Sequence, residues 1–180
     1  MISMPQRLST PRLTLRVPGG GDAEAIFAFA SDAEVTRFMT WARHVDLDDS
    51  SDFLDDVAEG WSSGEDYCWL IEHAEHGGIG TVACSFSEHG AEIGYVLARS
   101  VWGQGFGREA ATAVFDAAQS IDDLYRIWAT CDTENAASRR ILESTMVAED
   151  GMVSPYTVQT FKVDAAVLEE DAEKALYEAV

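Results

Sequence analysis

The stretch VLARSVWGQGFGREAATAVFDAA, Val96 to Ala118, constrains the fold more than any other part of this chain. Gly103, Gly105 and Gly107 stand at alternate positions between an apolar strand-like run and a helix-like run. In that second run Ala111, Val114, Phe115 and Ala118 fall on one helical face. A strand that enters a helix through glycines leaves the first helical N–H groups unpaired at the positive end of the helix dipole. Glycine also lets the backbone come close to a ligand and take φ > 0. The junction is therefore expected to hold phosphate, with a ligand-free tight turn as the other reading. Two familiar glycine-rich devices do not fit. A P-loop needs Lys-Ser/Thr after GxxxxG, and no lysine follows these glycines. A dinucleotide fingerprint needs a sixth-position glycine in a parallel βαβ unit, and counting from Gly103 that position is Arg108.

The flanking segments read as alternating strands and helices. Pro11–Val17 alternates as a strand, and PGGG ends it. Asp22 is placed to cap a helix through AEAIFAFAS, with Ile26, Phe27, Phe29 and Ala30 apolar. DAEVTRFM extends it as a second short helical turn, and VDLDDSS reads as an acidic loop. Phe53, Val57 and Trp61 then recur at i, i+4 and i+8, a helical core stripe. Tyr67–His73, Ile79–Phe86 and Ala91–Ala98 are strands joined by the short turns AEHGG and SEHG, which predicts an antiparallel meander. Beyond the glycine junction come a strand over Leu124–Cys131, a short helix from about Asn135 and a strand over Tyr156–Val163. The tail from Asp164 has helical spacing at Ala165, Leu168, Ala172, Ala175 and Leu176. With no repeat and no linker, residues 1–180 are expected to form one mixed α/β domain, 164–180 being a C-terminal helix.

Charge and cysteine content restrict the partners. The 180 residues carry 32 acidic against 12 basic side chains, a net of −20, and Lys162 and Lys174 are the only lysines. Such a surface repels nucleic acid and anionic membrane, so neither is expected as a partner. Acid-rich chains can be disordered, but five tryptophans and eight phenylalanines argue for a packed core. Excess acid with scarce lysine suits a salt-rich, halophilic cytoplasm where counter-ions screen self-repulsion. Cys68, Cys84 and Cys131 are scattered with no CxxC spacing, as expected of a reduced cytoplasmic protein. His73 and His76 lie in the turn EHAEHGG with no second ligand pair, so no metal is expected. No apolar run approaches the ~18 residues of a spanning helix, and the start MISMPQRLSTPRL has no signal core.

Beside the meander and the glycine junction stands NAAS, Asn135–Ser138, one strand later. Together these resemble the GNAT superfamily of acetyl-coenzyme A-dependent acetyltransferases. Gly105-Phe106-Gly107 resembles the end of that family's Q/R-x-x-G-x-G/A loop, with Trp102 at the first position. LSTPRLTLRV, DAEAIFAFASDAEVTRFMTW, AEIGYVLARSVWGQGFGREA and NAASRRILE, in that order, resemble the branch of ribosomal-protein N-terminal (Rim-type) acetyltransferases. Where that branch continues the last helix with Leu-Gly-Phe, this chain has STMVAEDG. The resemblance implies a largely antiparallel central sheet flanked by helices, with a splayed strand pair at the cofactor site. It implies that amides of Gly103, Gln104, Gly105, Phe106, Gly107 and Arg108, after Trp102, hold the pyrophosphate of acetyl-CoA. It implies further that the backbone of Tyr95, Val96 and Leu97 pairs with the pantetheine arm, and that Asn135 bonds the same arm. Arg108, Arg139 and Arg140 stand out in so acidic a chain as either solvated surface or phosphate partners.

Acetyl transfer to an amine has three needs: a base for the ammonium, stabilisation of the thioester oxygen, and a donor to the leaving thiolate. Glu92 is the candidate base. Strand alternation puts it on one face with Gly94 and Val96, and the family often has a carboxylate on this strand. Ser138 is the candidate thiolate donor, since it follows Asn135 and resembles the branch's serine at that place; a helix-start hydroxyl bonded to backbone is the alternative. The oxyanion donor is expected to be a backbone N–H near Val96. The acceptor amine is expected to be a protein N-terminus or a small amine; the resemblance implies walls from the loop around Met39–Asp52 and from the last strands, and Asp46 and Asp48 in that loop could attract a cation. A non-catalytic acetyl-CoA-binding regulatory module is the competing function, and the chain is expected to be a monomer or homodimer.

Overall fold

The computed structural model describes residues 3–122, 124, 126–146 and 157–161. Among these residues seven strands lie in one sheet in sequence order: β1 (Arg7–Ser9), β2 (Leu13–Arg16), β3 (Asp66–His73), β4 (Gly77–Ser87), β5 (Gly90–Leu97), β6 (Ile127–Asp132) and β7 (Thr157–Phe161). The first five pair antiparallel, whereas β5–β6 and β6–β7 are parallel. The meander read from the short turns is β3–β4–β5. Gly77 and Gly90, in or beside those turns, have φ of 69° and 112°. β1 was not expected: three residues are too few to show a period, and their pairing with β2 defines them. The helical tail expected over 164–180 lies outside the described residues.

Among the described residues five α-helices cover the sheet: α1 (Ala23–Ala30), α2 (Ala33–Thr36), α3 (Leu47–Ser63), α4 (Phe106–Gln119) and α5 (Ala136–Met146). Each face of the sheet has its own core. Ile26, Phe29, Val35 and Leu54 from α1–α3 pack on Leu70 and Val96. Phe106, Ala110, Val114 and Ala118 of α4 and Leu142 of α5 pack on Trp69, Val82, Ile93 and Ile127. All four positions that periodicity assigned to the buried face of α4 are buried. A side chain such as Val114, removed wholly from water, contributes about 1.5–3 kcal/mol.

Several local expectations change. The segment read as an acidic loop is the first turn of α3. Asp46 accepts from the backbone N–H of Asp48 and Asp49, and Asp49 reaches back to the N–H of Asp46 at 3.3 Å, a capping box built from acids alone. The Asp46 carboxylate is thus engaged in starting a helix, whereas Asp48 contributes only its backbone N–H and keeps an exposed carboxylate. The buried stripe of α3 is Ser50, Leu54 and Val57, with Phe53 and Trp61 at its margins. Asp22 precedes α1 but does not cap it, because Arg16 takes both its oxygens at 2.8 and 2.7 Å. Those bonds outweigh the cost of burial and hold the Asp22 carboxyl below its ordinary range. The cysteines are all buried and unbonded to one another, and burial pushes the thiols of Cys68 and Cys84 up to about 12. Among the described residues no helix is long and apolar enough to cross a membrane.

The outer face of α3 makes the charge imbalance concrete. Asp48, Asp52, Asp55, Asp56 and Glu59 are exposed, and 48/52, 52/56 and 55/59 are like-charge i,i+4 pairs. Raising salt shortens the Debye length from ~10 Å at 0.1 M to ~3 Å at 1 M, which weakens this repulsion. The thermal midpoint should therefore rise with potassium chloride. A flat or falling midpoint would remove the argument for adaptation to salt.

Candidate active site

β5 runs beside β4 for its whole length but meets β6 only at Ala91↔Ile127 and Glu92↔Trp128. Beyond Glu92 the two parallel strands part, as the resemblance implied. A cleft of ≈ 410 Å³ opens there, lined by Glu92, Gly94, Tyr95, Val96, Thr130 and Ser138 among others. Gly94 is exposed, and a Cβ added to it would meet nothing within 4 Å, so the gap alongside β5 has room for a ligand.

Glu92 sits where the strands part, and its Oε1 accepts the Thr130 hydroxyl at 3.0 Å. Burial pushes its carboxyl above the ordinary range; the Thr130 bond takes back part of the rise, and the charge of Asp66 adds to it. A carboxylate raised in this way is a stronger base than one in water. Across the cleft, Tyr95 Oη lies 2.9 Å from Ser138 Oγ and 3.2 Å from the Ser138 carbonyl. Burial pushes the Tyr95 phenol up, so it stays protonated and can supply a hydrogen to Ser138.

Asn135 and Ser138 lie on the same side, as their spacing suggested, although Asn135 stands just before the helix rather than within it. Asn135 precedes α5 and caps it: its Oδ1 accepts the Ser138 N–H at 3.0 Å, and its carbonyl accepts the Arg139 N–H. The cap nevertheless leaves both residues in the cleft wall. The Ser138 hydroxyl bonds to Tyr95 rather than only to its own helix.

The three glycines of the junction prove to have different tasks. Gly103 and Gly105 have φ of 75° and 82°, and Gly105 occupies the N-cap of α4 with no side chain over the helix end. A Cβ on Gly103 would meet nothing within 4 Å, and one on Gly105 only Arg12 Nη2 at 3.5 Å. Gly107 instead serves packing, since its Cβ would press on Ile141 and Leu97 at 3.2 Å each. Trp102 is half exposed and donates its indole N–H to the Leu97 carbonyl at 2.8 Å, which engages one polar group of the strand end. Arg108 is exposed and has no ion pair among the described residues. Arg139 pairs with Glu143 at 3.4 Å, and Arg140 donates to the Ala136 carbonyl.

A second cavity of ≈ 360 Å³ shares the walls Trp41, Phe53, Asp56, Thr81 and Val96 with the cleft. His44 lines it, with Nδ1 2.9 Å from the fully buried Ser50 hydroxyl and the ring against Trp41 and Phe53. Burial holds the imidazole below its ordinary range, against a smaller upward pull from Asp49. The sequence pattern pointed to the loop and put Phe53 in a core stripe, but did not single out His44, Trp41 or Thr130. Each is an isolated residue whose placement depends on how α3 and β6 meet β5.

An acetyltransferase (GNAT) domain family matches residues 12–145. The chain belongs to the GNAT acetyltransferases. This GNAT chain is 32% identical over 158 residues to the uncharacterized N-acetyltransferase p20 of Bacillus licheniformis, covering 84% of this chain and 87% of that protein. Among solved structures, a GNAT-family acetyltransferase from Bacillus anthracis is similar with a TM-score of 0.69 and 25% identity, covering 81% of this chain and 85% of the other. RimL, the ribosomal L7/L12 α-N-protein acetyltransferase in complex with coenzyme A, shares the fold at a TM-score of 0.69 and 18% identity, covering 77% and 82% of the two chains. Membership makes this GNAT chain an acyl-CoA-dependent N-acetyltransferase, an enzyme rather than a non-catalytic binding module.

Proposed function

We propose that this enzyme moves the acetyl group of acetyl-CoA to a protein N-terminal α-amine, with Glu92 as base and Ser138 as donor to the leaving thiolate. One observation carries the reading: a single cleft has a half-buried carboxylate on one wall and a hydroxyl pair, Ser138 and Tyr95, on the other. Acetyl-CoA would lay its pyrophosphate on the free N–H groups at the start of α4, between Gly103 and Arg108. Its arm would run along β5 at Tyr95–Leu97 and past the amide of Asn135. The fit rests on the open space at Gly94, Gly103 and Gly105. The amine would enter from the second cavity, lose its proton to Glu92, and attack the thioester carbon. A backbone N–H near Val96 would meet the oxyanion. As the C–S bond breaks, the nitrogen of the tetrahedral intermediate would give up its second proton, and the leaving thiolate would gain one through the Ser138 hydroxyl, which Tyr95 holds in place.

An apolar surface on the segment 41–47, whose Trp41 and His44 line the second cavity, supports a peptide acceptor over a small one. Trp41, Val45 and Leu47 are 37%, 71% and 43% exposed, more apolar area than a free amine would need. Free thiol release from acetyl-CoA, measured with a panel of N-terminal peptides and small amines, tests the proposal. Turnover of small amines alone would overturn the peptide acceptor, and no thiol release with either class would overturn the amine acceptor altogether.

Ser138→Ala should lower turnover by about 10–100-fold, the worth of one hydrogen bond to a developing charge. High pH should not rescue it, because an alkaline medium supplies no proton to the thiolate. Turnover against pH at saturating acetyl-CoA checks this, and recovery at high pH would contradict the assignment.

A further inference from the structure

The first turn of α4 carries an acidic side chain close to where a phosphate group would sit, and the structure neutralises it from the other end of the sheet. Glu109 is one helical turn in from Gly105, whose carbonyl accepts its N–H. A carboxylate one turn into a helix would repel a pyrophosphate at that helix's N-terminus. Arg12, in the turn between β1 and β2, takes this carboxylate. Its Nε and Nη2 each lie 2.6 Å from Glu109 Oε2, and its backbone N–H donates to Oε1 at 2.9 Å. The Thr10 hydroxyl donates to the same Oε1 at 2.6 Å. The remaining arm, Nη1, donates to the Gln104 carbonyl at 3.0 Å, and the guanidinium lies over the Phe106 ring, 4.5 Å from its centroid. One arginine therefore holds the carbonyl of the glycine loop and the only acidic group in the first turn of its helix.

We propose that Arg12 is a positioning residue for acetyl-CoA: it turns the Gln104 carbonyl aside and cancels the charge of Glu109, so that the helix end presents donors and no net negative charge to the pyrophosphate. The proposal rests on the reading of Gly103–Arg108 as the pyrophosphate loop, and it adds that the β1–β2 turn sets the affinity of that loop. The planar fork suits the task, because its separate Nε, Nη1 and Nη2 donors reach Glu109 and Gln104 in one fixed plane, a geometry that a lysine's single ammonium does not reproduce. The Glu109 side chain is pulled upward by burial but held below its ordinary range by the bonds from Thr10 and Arg12, so it is ionised at neutral pH beside the guanidinium.

The test is the KM for acetyl-CoA and the affinity for coenzyme A in Arg12→Met, Arg12→Lys, Glu109→Gln and the Arg12→Met/Glu109→Gln pair. Arg12→Met should raise KM and weaken coenzyme A binding by about 10-fold with kcat little changed, because a displaced binding group acts on positioning and not on the reacting atoms. Adding Glu109→Gln to Arg12→Met should restore part of the loss, since it removes the repelling charge, and higher salt should shrink the Arg12→Met defect. Arg12→Lys should fall between wild type and Arg12→Met, which keeps the test open if the methionine variant folds poorly. A role in folding alone predicts a lower thermal midpoint with unchanged affinity and no recovery in the double variant, and that result would overturn the proposal. If Gly105→Val weakens binding while Arg12→Met does not, the clamp alone fails. If neither changes affinity, the assignment of the loop fails with it.

Discussion

Turnover in Glu92→Gln should fall by about 10²–10⁴-fold at neutral pH, the usual contribution of a general base. The wild-type rate should rise with pH through the raised pKa of Glu92, because only the ionised carboxylate accepts a proton. The deficit of the variant should narrow as the pH passes about 8, where an α-amine begins to supply its own free base. Stability separates this chemistry from damage to the fold. The folded-state pKa of Glu92 is raised, so the fold favours the protonated form. Ionising it costs stability as the pH climbs from the ordinary glutamate value through the raised one, and that loss persists above it. Glutamine keeps the shape and can still accept from Thr130, so the variant should melt no lower than wild type at neutral pH. Paired profiles of turnover and thermal midpoint against pH check both statements. An unchanged rate across the range would sink the base assignment and leave bulk deprotonation of the amine.

Binding of coenzyme A should weaken by about 2–4 kcal/mol in Gly105→Val, since several charge-assisted bonds are lost together. That corresponds to roughly 30- to 1,000-fold in dissociation constant. Two effects combine at this position. A β-branched residue is strained at a φ of 82°, and its side chain would stand in the open space at the start of α4. Gly105→Asn separates them, because asparagine tolerates the left-handed region and still fills the space. It should bind weakly while melting close to wild type. Calorimetric titration with coenzyme A, beside a melting curve for each variant, gives the answer, and equal affinities would mean that the loop is only a turn.

What could be read in advance was whatever repeats at short range. The β3–β4–β5 meander follows from alternation and short turns, and the buried face of α4 follows from four residues at helical spacing. The start of α3 was hidden because acids that cap a helix look, in one dimension, like acids in a loop. Asn135 and Ser138 were found by spacing and resemblance, but their relation is that of a cap to its helix. Asp22 had the right position for a cap, yet Arg16, six residues earlier, outbids the helix for it. Arg12 and Glu109 are 97 positions apart, and nothing in either neighbourhood announces the other. Local pattern gives the elements; contacts made through the sheet give the site.

The parting of β5 from β6 has a mechanical meaning as well as a chemical one. The five-strand antiparallel block and the β6–β7 pair are stitched along the sheet by just two residue pairs, Ala91↔Ile127 and Glu92↔Trp128. Below that seam, the side of β5 facing β6 is an edge inside the protein, with backbone groups that no neighbouring strand completes. An extended arm carrying amides is what such an edge lacks. In the proposed complex the cosubstrate would act as a temporary eighth strand, fastening two blocks that the chain itself leaves ajar. The contacts of that fastening would have to be given up when the product leaves, so the seam that admits acetyl-CoA would also help set how tightly coenzyme A is retained.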